Sequence, residues 1–516
     1  MTEQAKQRAT DLWRKDDWLS VWSGFLILAF VATVLFGIGL RPKLPNWKWM
    51  SRGELQRDVS VWIDRAVELN RQALAAGDTA LAEAAQNIQE DLRGRAPRQV
   101  LRQAARSLDA ATEQTKNEAL RATAKKLASE ITASAGGTVL KAISWDNLRR
   151  GLPVLIGFAV IGLVASLLMG RNALRFLLAF PVIFLLAAVG FLIAGNRSVN
   201  FYGIEYVFWA LALGLLISNT VGVPKWLKPA VNTEFYIKIG LVLLGAEMLI
   251  RTILKAGALG MIQAIAVILA VWYFCYWLAG KLGLDKEFGA ILATGVSVCG
   301  VSAAIAAGGA LKGDPKKVSH TISLVLIMAV PMLVLEPMAA RLLGLSPILA
   351  GAWLGGTIDT TGAVVAAGAI AGNDAMNMAV IVKMAQNALI GVVAFLLAMW
   401  SVFRKKEGAE RPGLGEIWYR FPKFVLGFVA ASLVFSLFLT EGTAGAITSV
   451  SKGLRGYWFA LAFVSIGLET KVKELVAMHG GRPALTFVGA QAFNLLWTLL
   501  VAALVFGGLL FPVPKF

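Results

Sequence analysis

The sequence predicts an all-α, polytopic membrane protein that has two broken helices and a soluble α-helical insert. Of its 516 residues, 57% are hydrophobic and 16% are charged, whereas a soluble domain is about 25% charged. An apolar segment interrupted by small polar residues occurs twice, at 295–314 and at 355–374. A charged, Ala-rich stretch separates two apolar regions, so the chain divides into residues 1–40, 41–150 and 151–516.

Residues 1–40 combine a polar leader with a first apolar stretch, 19–40. This stretch is long and lacks a small-residue cleavage site, so it predicts a retained transmembrane helix rather than a signal peptide. A membrane-spanning helix needs about 20 apolar residues. Other uncharged stretches of that length, or nearly so, are 151–170, 176–196, 206–224, 256–280, 288–311, 384–403 and 483–514. Shorter or interrupted candidates are 239–250, 318–335, 342–373, 424–440 and 456–468, which together predict eleven spans and two broken segments.

The stretch 41–150 has the pattern of an extramembrane helical hairpin or small bundle. Ser51 and Glu54 have the spacing of a capping box, and the predicted helices run to about residue 76, from 78 to 93 and from 97 to 134. The third carries an apolar stripe of Leu101, Leu108, Leu120, Leu127 and Ile131. We interpret the insert as a solvated appendage or assembly surface.

Charge predicts how the chain lies in the membrane. The net charge is +18, but no nucleic-acid recognition motif is present, and many basic residues fall in loops that contact anionic lipid. The basic loop 403–423 marks the cytoplasmic side by the positive-inside rule. Counting spans back from it predicts a cytoplasmic N-terminus and an extracytoplasmic insert, and we expect a multi-pass protein of a bacterial-type inner membrane.

Internal duplication extends beyond the interrupted segment. At an offset of 60 residues, 287–340 aligns with 347–402, and a second match relates 236–280 to 458–511. The second match pairs Gly245 with Gly467 and Glu247 with Glu469. With the topology above, its two copies run in opposite directions, which is the inverted repeat of many alternating-access transporters.

The two interruptions predict the substrate site. Where a helix unwinds inside a membrane, its backbone groups need partners, and the N-terminus of a half-helix suits anions. Hydroxyls can contact either an anion or a cation. Packing of small residues between helices is the alternative explanation of the Gly/Ala/Ser pattern. The candidate residues are Ser297, Cys299, Gly300 and Ser302 in the first interruption, and Thr357, Asp359, Thr360 and Thr361 in the second.

Asp359 is the main candidate for ion coupling, because it lies between long uncharged runs. A carboxylate in a membrane is costly unless it is paired, hydrated or protonated, so it would bind sodium, carry a proton or pair with a lysine. Lys383, with Asn387 one turn further on, is the candidate partner. Lys383 would neutralise Asp359, attract an anion or replace a cation, or else extend to the membrane interface.

Other charged residues have a simpler interpretation. Glu247 precedes Arg251, and Glu469 precedes Lys473, by the four residues that join a helical ion pair. We expect these pairs, and also His320 and Glu336 near the ends of a span, to lie at the membrane interface. The two cysteines and two histidines form no metal motif.

Six blocks of the sequence, in order, resemble the YeiH-type sulfate exporter family over residues 176–511. They are YIKIGLVLLGAEM, GLDKEFGAILATGVSVCGVSAA, WLGGTIDTTGAVVAAG, AVIVKMAQ, FVLGF and FVSIGLETKVKEL. This resemblance implies the cation/proton antiporter and anion transporter superfamily. It also implies a core-and-panel fold of two inverted repeats whose broken helices cross near the midplane, and a homodimer.

Two departures separate the chain from that family. The second interruption has Asp359-Thr360 where the family typically has His-Glu, and the following helix has Lys383 and Gln386 where the family has Lys-x-x-Arg. A positive group is therefore missing, which weakens the expectation of sulfate.

The leading hypothesis is a secondary active transporter of a small anion, either sulfate, an organosulfonate or a carboxylate, coupled to sodium or protons. One alternative is a sodium/proton antiporter, and another is a membrane sensor or scaffold that uses the insert. An enzyme is not expected, because the sequence has no nucleophile–base set, phosphate loop or metal cluster. Apart from a candidate sodium ion at Asp359, we expect no cofactor.

Overall fold

The computed structural model describes residues 16–40, 42–93, 98–113, 115, 117–201, 206–404, 418, 421–470 and 481–514. Within these ranges the regular structure is helical, apart from an isolated bridge between Trp49 and Asn196. The predicted all-α class is confirmed. The helices, numbered in chain order, are α1 (Asp16–Ala32), α2 (Arg52–Ala75), α3 (Thr79–Arg93), α4 (Arg98–Thr112), α5 (Glu118–Gly136), α6 (Val139–Ala142), α7 (Trp145–Leu168), α8 (Ala173–Ala194), α9 (Arg197–Phe201), α10 (Tyr206–Thr220), α11 (Thr233–Gly245), α12 (Ile250–Lys281), α13 (Lys286–Thr294), α14 (Gly300–Leu311), α15 (Pro315–Leu342), α16 (Pro347–Thr357), α17 (Thr361–Ala371), α18 (Asn373–Ala388), α19 (Ile390–Arg404), α20 (Lys423–Leu437), α21 (Glu441–Glu469) and α22 (Gly481–Phe506).

Length and composition confirm a multi-pass membrane protein. Among the described residues, eight helical stretches are long and apolar enough to span a bilayer. They are Asp16–Gly37, Val139–Leu168, Ala173–Ala194, Ile250–Lys281, Lys286–Leu311, Pro315–Leu342, Asn373–Ser401 and Gly481–Phe506. The sequence predicted eleven spans and two broken segments. The structure shows fewer long apolar helices than predicted partly because α10, α17 and α20 are apolar but shorter than about 20 residues.

The chain forms two compact units. One comprises Met1–Pro42, Leu155–Gly190 and Val207–Phe516, and the other comprises Lys43–Val154 and Phe191–Tyr206. The second unit contains the bundle α2–α5, in which α2 packs on α3 and α5, and α4 packs on α3 and α5. Its core includes the five residues of the predicted apolar stripe, namely Leu101, Leu108, Leu120, Leu127 and Ile131.

One predicted helix of the bundle was wrong. The expected helix 97–134 is two helices, since α4 ends at Thr112 and α5 begins at Glu118. Asn117 starts the second, because its side-chain oxygen accepts hydrogen bonds from the backbone N–H groups of Ala119 (3.1 Å) and Leu120 (3.3 Å). Asn favours this N-terminal position. Because α4 and α5 pack against each other, both halves of the stripe lie in one core.

The capping box at the start of α2 is confirmed, and it also joins distant parts of the second unit. Ser51 Oγ accepts from Glu54 N (3.2 Å), and Ser51 N donates to Glu54 Oε2 (2.7 Å). The same carboxylate accepts from Asn196 Nδ2 (3.1 Å) and Ser198 N (3.0 Å). Burial by itself would raise the pKa of Glu54, but the hydrogen bonds from Ser198 and Ser51 outweigh it and lower the pKa to about 2.

Glycines allow two close helix contacts in the first unit. A methyl group added at Gly467 of α21 would lie 2.4 Å from the Leu211 carbonyl oxygen of α10. One added at Gly245, at the end of α11, would lie 2.2 Å from the Phe428 carbonyl oxygen of α20. These obstacles are backbone atoms, which cannot rotate away. Gly245 and Gly467, which align in the sequence, therefore each allow the backbone of a neighbouring helix to pack closely.

We predict that Glu54→Gln destabilises the protein by about 1–3 kcal/mol at neutral pH, because it removes a charged acceptor of several hydrogen bonds. A carboxyl whose pKa is lowered by folding stabilises the fold above its unfolded pKa, and this contribution disappears as pH falls through its folded pKa. The difference between variant and wild type should therefore shrink between pH 4.5 and about 2. Thermal unfolding over this pH range tests it. Glu83→Gln, which alters an exposed glutamate of α3, is the control. An equal loss of stability in both variants would show that the hydrogen bonds of Glu54 do not stabilise the fold.

We also predict that Gly467→Ala lowers stability by about 1–3 kcal/mol, because an overpacked helix contact must separate. The matched control is Gly280→Ala in α12, where an added methyl meets nothing within 4 Å. That change should be neutral or slightly stabilising, since alanine favours helix over glycine by about 0.5–1 kcal/mol. Melting temperatures of the purified variants measure both effects, and similar values for the two would show that the contact at Gly467 is not close.

Candidate functional site

Both predicted interruptions lie between consecutive helices of the first unit. α13 ends at Thr294, Gly295–Cys299 forms a wider helical turn, and α14 begins at Gly300. Cys299 leaves helical geometry, with φ −156° and ψ 86°. In the second segment, α16 ends at Thr357 and α17 begins at Thr361. Residues 358–360 therefore lie outside both helices.

The two interruptions contact each other at Gly300. A methyl group added there would lie 3.3 Å from both the carbonyl oxygen and the Cβ of Asp359, and 2.3 Å from a methyl group of Val325. A side chain at this position would clash with Val325 and crowd Asp359, so glycine allows the two segments to lie this close together. The fold thus brings together residues that are about 60 positions apart in the sequence.

Five of the predicted residues line one cavity of about 760 Å³, and they are Cys299, Ser302, Thr360, Thr361 and Asn387. Thr360 also caps α17, since its Oγ1 accepts a hydrogen bond from Ala363 N (3.3 Å). Because Val301 of α14 and Gly362 of α17 line the cavity too, the first turns of both helices border it. Helix N-termini carry partial positive charge and free N–H groups.

A hydrogen bond joins the cavity lining to α18. Asn387 Nδ2 donates to Thr361 Oγ1 (3.1 Å), and Cys299 Sγ lies 3.9 Å from the same oxygen. Asn387 Oδ1 is buried and has no partner within the described structure. The lining therefore offers an unused acceptor next to the two helix N-termini.

The other five predicted residues, Ser297, Gly300, Thr357, Asp359 and Lys383, are buried and are not among those that line the cavity. Lys383 is 1% exposed, so it does not extend to the membrane interface. Its Nζ donates to Val298 O (2.9 Å) and to Gln386 Oε1 (3.0 Å).

Gln386 continues this network across both interruptions. Its Nε2 donates to Gly356 O (3.1 Å) and to Ser297 O (3.4 Å). Carbonyls released where a helix stops need such donors inside a membrane. At the position where the resembled family has arginine, glutamine thus fixes the two interruptions to α18. Ser297 Oγ has no partner among the described residues.

Asp359 and its candidate partner Lys383 are not joined by a direct ion pair. Asp359 is 1% exposed, and neither of its carboxylate oxygens has a hydrogen-bond partner in the described part of the chain. No ion pair within 4 Å joins it to Lys383 there, because the lysine is directed to Val298 and Gln386 instead. Asp359 is therefore free to hold a hard cation, which prefers oxygen ligands, or a proton.

Glu336 is a site residue that the sequence analysis missed. It was expected at a membrane interface, but it is 4% exposed and hydrogen-bonded to the hydroxyl of Thr357. The reason is that α15 continues through Pro331 and Pro337 to Leu342, which leaves Glu336 inside the helix. Arg341, in the last turn, was the signal that could have placed the helix end correctly.

Two further polar residues, both on α22, were also missed. Gln491 Nε2 (2.8 Å) and Asn494 Nδ2 (3.3 Å) donate to Thr357 O. Both side chains are fully buried. Their spacing of three residues places them on one helix face, and this spacing in an apolar stretch was the available signal. The end of α16 is thereby held by α15 and α22.

The predicted pair of Glu247 with Arg251 was wrong as well. Glu247 forms an ion pair with Arg455 of α21 (2.8 Å). α11 ends at Gly245 and α12 begins at Ile250, so the four-residue spacing does not lie on one helix. Glu469 accepts a hydrogen bond from Thr233 Oγ1 (3.0 Å), and its expected partner, Lys473, lies outside the described residues.

Comparison with known proteins gives a family. The family described as Conserved hypothetical protein 698 matches residues 178–486. The chain is 46% identical over 374 residues to UPF0324 membrane protein RB9488 of Rhodopirellula baltica, covering 70% of this chain and 68% of that protein. It is 38% identical over 379 residues to a UPF0324 membrane protein of Nitratidesulfovibrio vulgaris, covering 70% of this chain and 65% of the relative, just under two thirds. No solved structure matches the chain. The protein therefore belongs to the Conserved hypothetical protein 698 family, together with these UPF0324 membrane proteins.

Proposed function

We propose that the protein is a secondary active transporter that binds a small anion in the cavity at the N-termini of α14 and α17. The observation that carries this proposal is that the two helices following the interruptions border the same cavity. Helix N-termini favour anions through their free N–H groups and their dipoles. The anion would be sulfate, an organosulfonate or a carboxylate, as the resemblance to sulfate exporters suggests.

Polar groups of the lining suit an oxyanion. Ser302, Thr360 and Thr361 carry hydroxyls that can donate to its oxygens. Lys383 lies behind this lining, with its ammonium on the carbonyl of Val298 (2.9 Å). In a medium of low dielectric constant its charge acts over several ångströms. Lys383 would thus attract the anion without touching it.

Asp359 would couple transport to a cation. An ionised carboxylate that is buried without a partner is costly, so this residue is expected to be protonated or bound to sodium when the site is buried. Glu336, whose Oε2 is buried and unpartnered within the described structure, is a second acid of the same region. Binding of a proton or sodium would neutralise the site and permit the conformational change.

We further propose that the two interrupted segments cross within an inverted repeat and move as a core past a panel, in alternating access. The aligned units 287–340 and 347–402, with 236–280 and 458–511, support this arrangement. We also propose an inner-membrane location, a cytoplasmic N-terminus, an extracytoplasmic insert and a homodimer. These proposals rest on the charge pattern and on the resemblance.

A sodium/proton antiporter is the second candidate, and the charge of the cavity favours it. Asp16, Asp17, Glu234 and Glu469 line the cavity together with a lysine, Lys238. Excess negative charge concentrates cations. Asp359 would then be the cation site itself, and the anion would play no part.

We predict that sulfate, methanesulfonate or acetate raises the melting temperature of the purified protein in the presence of sodium, and that Asp359→Asn reduces this shift at least severalfold. Ligands that bind the folded state stabilise it by mass action, and the variant removes the charge that would retain the cation. Asp374→Asn, which removes a carboxylate from an exposed position, is the control. An anion shift that is the same in both variants would exclude Asp359 from coupling.

Proton flux separates the two candidates. In proteoliposomes without added sulfate, sulfonate or carboxylate, we predict that a sodium gradient drives no proton movement above that of protein-free vesicles. An anion transporter couples the cation to its substrate, whereas an antiporter exchanges the two cations directly. A pH-sensitive dye inside the vesicles measures the flux. Sodium-driven proton movement, opposite in direction to the sodium flux, that Asp359→Asn abolishes would establish the antiporter instead.

A further inference from the structure

We propose that Lys238 is the residue that recruits the anion to the cavity, and that Asp17 of the first transmembrane helix is a built-in competitor for it. This inference rests on the proposed function, because it assumes an anionic substrate. It assigns a specificity role to α1, which lies outside the residues matched by the family, 178–486.

Lys238 is positioned to meet an anion. It belongs to α11 and lines the same cavity as the N-termini of α14 and α17. Among the described lining residues it is the only lysine or arginine. Its side chain is 12% exposed, so its charge is little screened by solvent. It is therefore the one fully charged cationic side chain, among the described lining residues, that a small oxyanion in the cavity could contact.

Asp17 already holds this lysine. Its Oδ1 lies 2.8 Å from Lys238 Nζ, while Glu234 Oε2 lies at 3.4 Å. Asp17 is fixed in turn by α20, since its Oδ2 accepts a hydrogen bond from Lys423 N (3.1 Å). The side chain of Glu234 is 56% exposed and that of Asp17 is 27% exposed. Asp17 is therefore the stronger competitor.

Four carboxylates and one lysine of the described part of the chain line the cavity, so an arriving anion competes with Asp17 for Lys238. A carboxylate belongs to the same chemical class as the proposed substrates, so an arriving anion exchanges with Asp17 at Lys238 rather than filling an empty position. The cost of displacing Asp17 lowers the affinity of the cavity for every anion that binds at Lys238. A sulfate, with two negative charges, replaces a single carboxylate more readily than acetate does.

Asp16 provides a matched control. It is the neighbour of Asp17, lines the same cavity and carries the same charge, but its Oδ2 lies 3.5 Å from Arg171, and the described residues show an ion pair of Lys238 with Asp17 and none with Asp16. Asp16→Asn and Asp17→Asn thus change the cavity charge equally. They differ in whether Lys238 is released.

The test is a titration of the full-length protein with sulfate, in which the melting temperature is measured at each concentration. Sodium chloride keeps the ionic strength constant. We expect Asp17→Asn to lower the half-maximal sulfate concentration about threefold to tenfold, and Asp16→Asn to lower it less than twofold. Asparagine keeps an acceptor oxygen for Lys423 N, so the helix contact is retained. If Asp17→Asn fails to fold, Glu234→Gln should shift the titration in the same direction by a smaller factor.

A double variant identifies the recipient of the anion. When Asp17→Asn is added to Lys238→Gln, the half-maximal sulfate concentration should not change further. The reason is that Asp17 competes with the anion only at the lysine. Equal shifts in the Asp16 and Asp17 variants, or a shift that persists without Lys238, would overturn this inference while the proposed transport of anions stands. Absence of any anion response in wild type and in all variants would overturn both. A response that appears only in Asp17→Asn would support the inference directly.

Discussion

Contact between the two interrupted segments is the constraint on which the rest of the site depends. Gly300 lies so close to Asp359 that an added methyl group would be 3.3 Å from its carbonyl oxygen, and carbonyls released where a helix stops need protein donors inside a bilayer. Polar side chains of neighbouring helices meet that need, with Lys383 and Gln386 on one side and Gln491 and Asn494 on the other. The apolar helices around them thus enclose a connected polar centre.

Four carbonyls of this centre, those of Ser297, Val298, Gly356 and Thr357, accept hydrogen bonds from buried side chains, but its acids are incompletely paired. Both oxygens of Asp359 and one of Glu336 have no partner in the described structure. Unpaired buried carboxylates are unstable, whereas protonated or cation-bound ones are tolerated. A rigid backbone next to an unsatisfied acid suits a site whose charge changes during a transport cycle, and this is why our proposal places coupling at Asp359.

Sequence reasoning succeeded where a pattern is local. Ser51 with Glu54 carries a capping pattern that the structure contains, and the apolar stripe that includes Leu101 and Ile131 lies in the core of the bundle. It failed where the result depends on a helix boundary. Glu336 was misplaced because α15 continues past it, and Glu247 pairs with Arg455 because α11 ends too early for a partner at Arg251.

The sequence by itself determined the all-α membrane class, the duplicated segments and most of the residues now found around them, because hydropathy, spacing and isolated charges are properties of the chain. Only the tertiary structure decided which of these residues share the cavity and which are buried beside it. It also decided that Lys383 binds carbonyls rather than Asp359, and that Asp17 reaches Lys238 from more than two hundred residues away. Such pairings depend on how helices pack, and no local pattern encodes the partner of a buried charge.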